Sequence, residues 1–167
     1  SAPCVPDAAS NPVANTQLTF RAPSNPFTAC GVYRKGTWFW VDDPGVWIPV
    51  ITATCNNEDI NGNGILDAGE DENGDGELTP GIIGTINFAN GNSVSDSNGQ
   101  AIAELRYPKQ FGPWTDVELT VFGNSAGSEA FDSLKLTFPV AAEDITEEDS
   151  PPPPNPFGSG QNCTDTL

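Results

Sequence analysis

The chain has 167 residues, with 23 acidic against 6 basic side chains, no histidine and a net charge of −17. That length suits one domain with a core of its own, and the missing basic face excludes nucleic acid as a partner, since nothing is there to displace counterions from phosphates. No apolar stretch approaches the roughly 20 residues that a membrane-spanning helix needs.

In chain order, Val13–Phe20 (VANTQLTF), Thr37–Val41 (TWFWV) and Val46–Thr54 (VWIPVITAT) read first as strands, being rich in β-branched and aromatic residues. Trp38 and Trp40 alternate onto one face of their strand. With Trp47 and Trp114 they make a candidate platform for stacking on a sugar, although two aromatics on one face equally fill a sandwich core.

The next segment, DINGNGILDAGEDENGDGELTP from Asp59 to Pro80, repeats calcium-ligand spacing. Calcium takes about six to eight hard oxygens, and a twelve-residue loop supplies them from positions one, three, five, seven, nine and twelve, with a glycine at six for the bend. Asp59, Asn61, Asn63, the Ile65 carbonyl, Asp67 and Glu70 fill those positions in the first copy, and Gly64 makes the turn. The second copy starts one period later with Asp71, Asn73, Asp75, Gly76 and the Glu77 carbonyl. It has Thr79 at nine and Ile82 at twelve, so its closing carboxylate must come from elsewhere, with Glu58, Glu77 and Asp96 as candidates. One Ca²⁺ is expected in the first loop, and a second depends on that outside oxygen. The β-branched ITATC before the pair and Pro80-Gly81 after it argue against a helix-loop-helix and for an insertion between strands, where calcium rigidifies a β scaffold. Twelve acidic residues and no basic one lie between Lys35 and Arg106, so bound cations would also relieve repulsion.

Further strands follow in IIGTINF from Ile82, AIAELRY from Ala101, DVELTVFG from Asp116 and DSLKLTFPV from Asp132. Val117, Leu119 and Val121 alternate with Glu118 and Thr120, while Leu134, Leu136 and Phe138 alternate with Lys135 and Thr137, the pattern of half-buried antiparallel sheet. Seven or so short strands separated by turns indicate an all-β antiparallel sandwich over residues 1–140, interrupted by the calcium-loop insertion at 56–82. Residues 141–167 form an extended tail, acidic in AEDITEEDS and polyproline-like in PPPPNPF. Cys4, Cys30, Cys55 and Cys163 lack CxxC spacing and histidine partners, which points to disulfides in an oxidising compartment. Of three connectivities, Cys4 with Cys30 and Cys55 with Cys163 is preferred, because the second pair ties the loop region to the tail and anchors it. Ser1 and Ala2 are read as what signal-peptide removal leaves.

Two turns carry a family resemblance. Asp7, Asn11, Pro12, Val13, Leu18 and Phe20 fit DxxGNPVxxxxVxF, and Asp96, Gly99, Ala101 and Leu105 fit TDxxGxAxxxL, so residues 5–140 resemble bacterial immunoglobulin-like domains of the invasin and intimin type. VELTVFGNSAGSEAFDSLKLTF is similar to that family's last two strands. The acidic insertion behind Cys55, the YPKQFGPWTDVELT stretch and the PNPFG tail further resemble the terminal immunoglobulin-like module of surface proteins from marine and pseudomonad-type bacteria. Ser10 replaces the family's usual glycine, and only SAPCV precedes the first turn. The resemblance therefore implies a truncated first strand and an open edge beside Val13–Phe20, to be covered by the tail, by a preceding domain or by a neighbouring subunit.

No nucleophile elbow, histidine triad or zinc signature is present, and catalysis is not expected. The expected function is that of a secreted or cell-surface structural module, a stalk or filament subunit stiffened by calcium and disulfides and completed by strand exchange with other copies or neighbouring domains. The alternative is an adhesin module that binds surface glycans through its tryptophans.

Overall fold

The computed structural model describes residues 14–20, 32–125 and 127–165. The Asp7–Val13 turn, Cys4 and Cys30 lie outside the described residues. The strands among them lie in antiparallel sheets, with three short 3-10 turns outside the strands: β1 (Gln17–Phe20), β2 (Val32–Val41), β3 (Val46–Asn56), β4 (Thr85–Phe88), β5 (Ala103–Arg106), β6 (Thr115–Ser125) and β7 (Ser128–Thr137). Each expected strand is present, though with different ends; β2 starts five residues earlier than its apolar run, at Val32.

β6 organises the larger sheet. One edge pairs along its length with β7, from Asp116 opposite Thr137 to Ser125 opposite Ser128. The other edge is shared: Phe20 to Gln17 of β1 pair with Val121 to Asn124, and Val32 and Tyr33 of β2 pair with Asp116 and Thr115. β2 then forms a long hairpin with β3. β4 and β5 form a separate two-stranded sheet.

The alternation read from sequence positions the first core. Val117 is buried and Leu119 and Leu136 half-buried against Ile83 and Phe138, with Leu105 and Tyr107 packed on the same cluster, so β4–β5 lies against β6–β7. Tyr107 stacks on Phe138 with ring centroids 4.0 Å apart, and Phe20 of β1 stacks on Phe88 of β4 at 4.3 Å. Thr120, expected on the solvent side of β6, is buried and shares a hydroxyl contact of 3.2 Å with Ser133.

The edge beside β1 is not open. Leu18 N donates to the Ser93 carbonyl at 2.7 Å, and Ser95 N donates to the Thr16 carbonyl at 3.0 Å, so residues 93–95 run along it. Among the described residues β7 pairs only with β6.

The tail packs against the rest of the chain. Phe157 is 3% exposed and packs with Tyr33, Cys55 and Trp114 in a second core cluster. The Gly36 N–H donates to the Gly158 carbonyl, the Asn155 amide donates to the Arg34 carbonyl at 2.9 Å, and the Thr52 hydroxyl donates to the Gly160 carbonyl at 2.7 Å. Cys55 and Cys163 are joined in a disulfide. The tail therefore docks on the β2–β3 hairpin of its own chain.

Candidate metal centre

β3 delivers the chain directly into the acidic loops. After Cys55, which is 1% exposed, come Asn57, Glu58 and Asp59, all buried. From there the first loop is drawn around its own side chains. Asp59 accepts from Asn63 N through Oδ1 (3.0 Å) and from Gly64 N through Oδ2 (2.9 Å). Asn61 Oδ1 accepts from Asn63 N, and Asn63 Oδ1 accepts from Ile65 N. Each short side chain thus turns the backbone back on itself, which is why Asp and Asn recur at alternate positions. Gly62 and Gly64 take φ of 73° and 75°, where a side chain would be strained.

Glu70 closes this loop. Oε1 accepts from Ile60 N (3.0 Å) and Asn61 N (3.4 Å), and Oε2 accepts from Asp67 N (3.0 Å). Asp67 accepts from both the Asn61 and the Asn63 amides at 2.8 Å, and these bonds hold its carboxyl below the ordinary range.

The second loop repeats this arrangement twelve residues on. Asp71 accepts from Asp75 N and Gly76 N, Asn73 from Asp75 N, and Asp75 from Glu77 N. Of the three outside carboxylates considered for its closure, Glu58 occupies the place. Its Oε1 accepts from Glu72 N and Asn73 N, each at 3.2 Å, and its Oε2 accepts from Thr79 N at 2.8 Å. These donors correspond one for one to those that Glu70 receives. The backbone agrees, with Glu58 N donating to the Thr79 carbonyl as Glu70 N donates to the Asp67 carbonyl. Glu77 is exposed, and Asp96 belongs to the turn before β5, where it accepts from Asn98 N and Gln100 N. The sequence contained the signal: Glu58-Asp59 recurs as Glu70-Asp71, one period apart.

Electrostatically the centre is a concentration of carboxylate with no matching base. Glu58 and Glu70 are 3% and 6% exposed, and no ion pair among the described residues involves either. Burial pushes the Glu58 carboxyl above its usual range, beyond what the Thr79, Asn73 and Glu72 N–H groups recover. Burial, reinforced by Glu58, Glu72 and Asp75, pushes the Tyr33 hydroxyl up to about 12. No three Asp, Glu or Cys side chains among the described residues are grouped as a metal site by themselves. Each loop instead mixes carboxylates with the amide oxygens of Asn61, Asn63 or Asn73, a hard-oxygen set that fits Ca²⁺ or Mg²⁺ rather than a soft metal.

The aromatic platform is largely covered. Trp114 is fully enclosed, so its ring offers no face to a ligand. Trp38 packs edge-on against it at 5.2 Å and donates Nε1–H to the Pro153 carbonyl, while Trp47 donates to the Glu147 carbonyl. Trp40 packs against Trp47 across the hairpin at 5.5 Å. Both indole donors facing the tail are used within the chain.

No protein-family model, curated protein or solved structure matches this chain.

Proposed function

We propose that this chain is a non-enzymatic structural module of a secreted bacterial surface protein or fibre, an immunoglobulin-like β-sandwich in which Ca²⁺ and disulfides stiffen the fold. The observation that carries the reading is the burial of Glu58 and Glu70 without a basic partner among the described residues, since buried carboxylates are rare unless paired. A cation from solvent is the missing partner. Asp59, Asn61, Asn63, the Ile65 carbonyl, Asp67 and Glu70 would hold it in the first loop, and it supplies charge compensation and rigidity rather than chemistry.

The position of the loops supports a mechanical role. They leave the end of β3, whose Cys55 anchors the tail, so ordering the loops also orders the junction of hairpin, tail and core. The tail docks on its own hairpin and residues 93–95 cover β1, so completion of a neighbouring sheet would use the outer edge of β7 or of β3.

Thermal melts in calcium and in excess chelator test the reading. At calcium a hundredfold above Kd the expected stabilisation is about 2.7 kcal/mol, worth about 5–10 °C for a chain of this size. Asp59→Asn combined with Glu70→Gln should shrink the difference, and coincident wild-type melts refute the proposal.

A further inference from the structure

We infer that the two loops form a coupled pair of divalent-cation sites, the Asp59 loop closed by its own Glu70 and the Asp71 loop closed by Glu58, which precedes both loops. This rests on the calcium reading above, which requires only the first site.

Chain adjacency makes the coupling. Glu58 closes the second loop and is joined by one peptide bond to Asp59, the first ligand of the other loop. Glu70 closes the first loop and is joined by one peptide bond to Asp71. An ion held by Asp59 and Glu70 therefore fixes the neighbours of Glu58 and Asp71 before the second ion arrives, and the ordering is shared between the two events. Charge permits double filling. Asp59, Asp67 and Glu70 in one loop, and Asp71, Asp75 and Glu58 in the other, give each site three carboxylates against a doubly charged ion, so neither filled loop becomes a cation that repels the next.

An independent feature points to an ion in the second loop. Tyr33 is 0% exposed and its hydroxyl has no hydrogen-bond partner among the described residues. It lies opposite Cys55 on the paired strand, three residues before Glu58, within electrostatic reach of Glu58, Glu72 and Asp75. A buried hydroxyl left without a partner calls for an explanation, and a water or ion beside it is one. Water in the coordination shell of a cation in the Asp71 loop would donate to Tyr33 Oη.

Calorimetric titration of the full oxidised chain with Ca²⁺ alone, after chelator treatment, tests this. Two ions per chain with a Hill coefficient above one are expected. Glu58→Gln should lose one ion and weaken the remaining one by about tenfold, within the usual range of coupling between sites. Asp71→Asn, at a half-buried position, should reproduce both effects if Glu58→Gln does not fold. One ion in the wild type, at an affinity unchanged in either variant, overturns the second site while leaving the calcium reading intact. Two ions of which one is lost with no weakening of the other overturn the coupling. No calcium binding overturns both.

Discussion

Replacing Phe157 by alanine separates a tail that merely lies on the surface from one that belongs to the core. Phe157 comes from a proline-rich segment, yet its ring is 3% exposed and sits 5.0 Å from Tyr33 and 5.6 Å from Phe111 between centroids. Truncating a buried phenylalanine costs about 3–5 kcal/mol, the spread reflecting how far the site collapses. Here collapse is limited on one side by Tyr33 and Trp114, both fully enclosed, and on the other by Cys163, which tethers the tail to Cys55. The expected loss is therefore at the upper end, about 4–5 kcal/mol, a large share of the 5–15 kcal/mol typical of a whole domain. It corresponds to a fall in Tm of about 8–20 °C. Urea unfolding in saturating calcium with the disulfide intact would measure it, and near-ultraviolet dichroism would report the Trp38–Trp114 contact. A change below about 1 kcal/mol, the range of ordinary surface substitutions, would refute the assignment of the tail to the core.

Three further outcomes follow from individual contacts. Arg34 grips Asp116 with both guanidinium arms while Thr137 donates to the same carboxylate. Burial raises the Asp116 pKa, but these bonds outweigh it and the net shift is downward, so the stability they give is present above the ordinary aspartate value near 3.9 and lost as pH falls through the lower folded value; Asp116→Asn should flatten the acid limb below about pH 4 and cost about 1 kcal/mol at neutral pH. A Cβ at Gly36 would lie 2.2 Å from the Val50 carbonyl oxygen at the register shift between β2 and β3, so Gly36→Ala should destabilise by about 1–3 kcal/mol in urea melts, and an unchanged midpoint would contradict that packing. Cys55 and Cys163 are 108 residues apart, for which chain entropy gives about 4–5 kcal/mol, so the Cys55→Ser/Cys163→Ser variant should unfold at clearly lower denaturant than the oxidised wild type.

The strands were legible where one face is dry and the other wet. β6 and β7 show this best, since Val117, Leu119, Leu134 and Leu136 alternate with polar residues and that alternation is what a sheet packed on one side requires. The start of β2 was illegible for the opposite reason. Arg34 and Lys35 interrupt the apolar run, yet Lys35 is 0% exposed because its ammonium donates to the carbonyl of Asp165, far away in the chain. No local pattern encodes a partner at that distance. Where the tail docks is hidden by the same limit. Its composition correctly indicated extended backbone, but the aromatic that anchors it is one residue among prolines, and only the meeting of Phe157 with Tyr33, Phe111 and Trp114 makes it core.

The acidic loops show where a spacing rule succeeds and where it stops. Within one loop the ligating types are fixed by their neighbours, because Asp or Asn at alternate positions both offer oxygen and cap the next turn of backbone; Asp59 through Asp67 could therefore be read directly. Closure is different, since the closing carboxylate needs only to reach the donors at positions two, three and nine. In the first loop Glu70 does so from position twelve. In the second loop the chain has passed through Thr79-Pro80-Gly81 and left, and Glu58 reaches the same donors from the strand end that precedes both loops. A rule that demands the carboxylate at position twelve finds the second loop incomplete. A rule that asks which carboxylate meets those three N–H groups finds it complete, and it makes Glu58, the residue that appeared to lie before the motif, the one on which the second half of the centre depends.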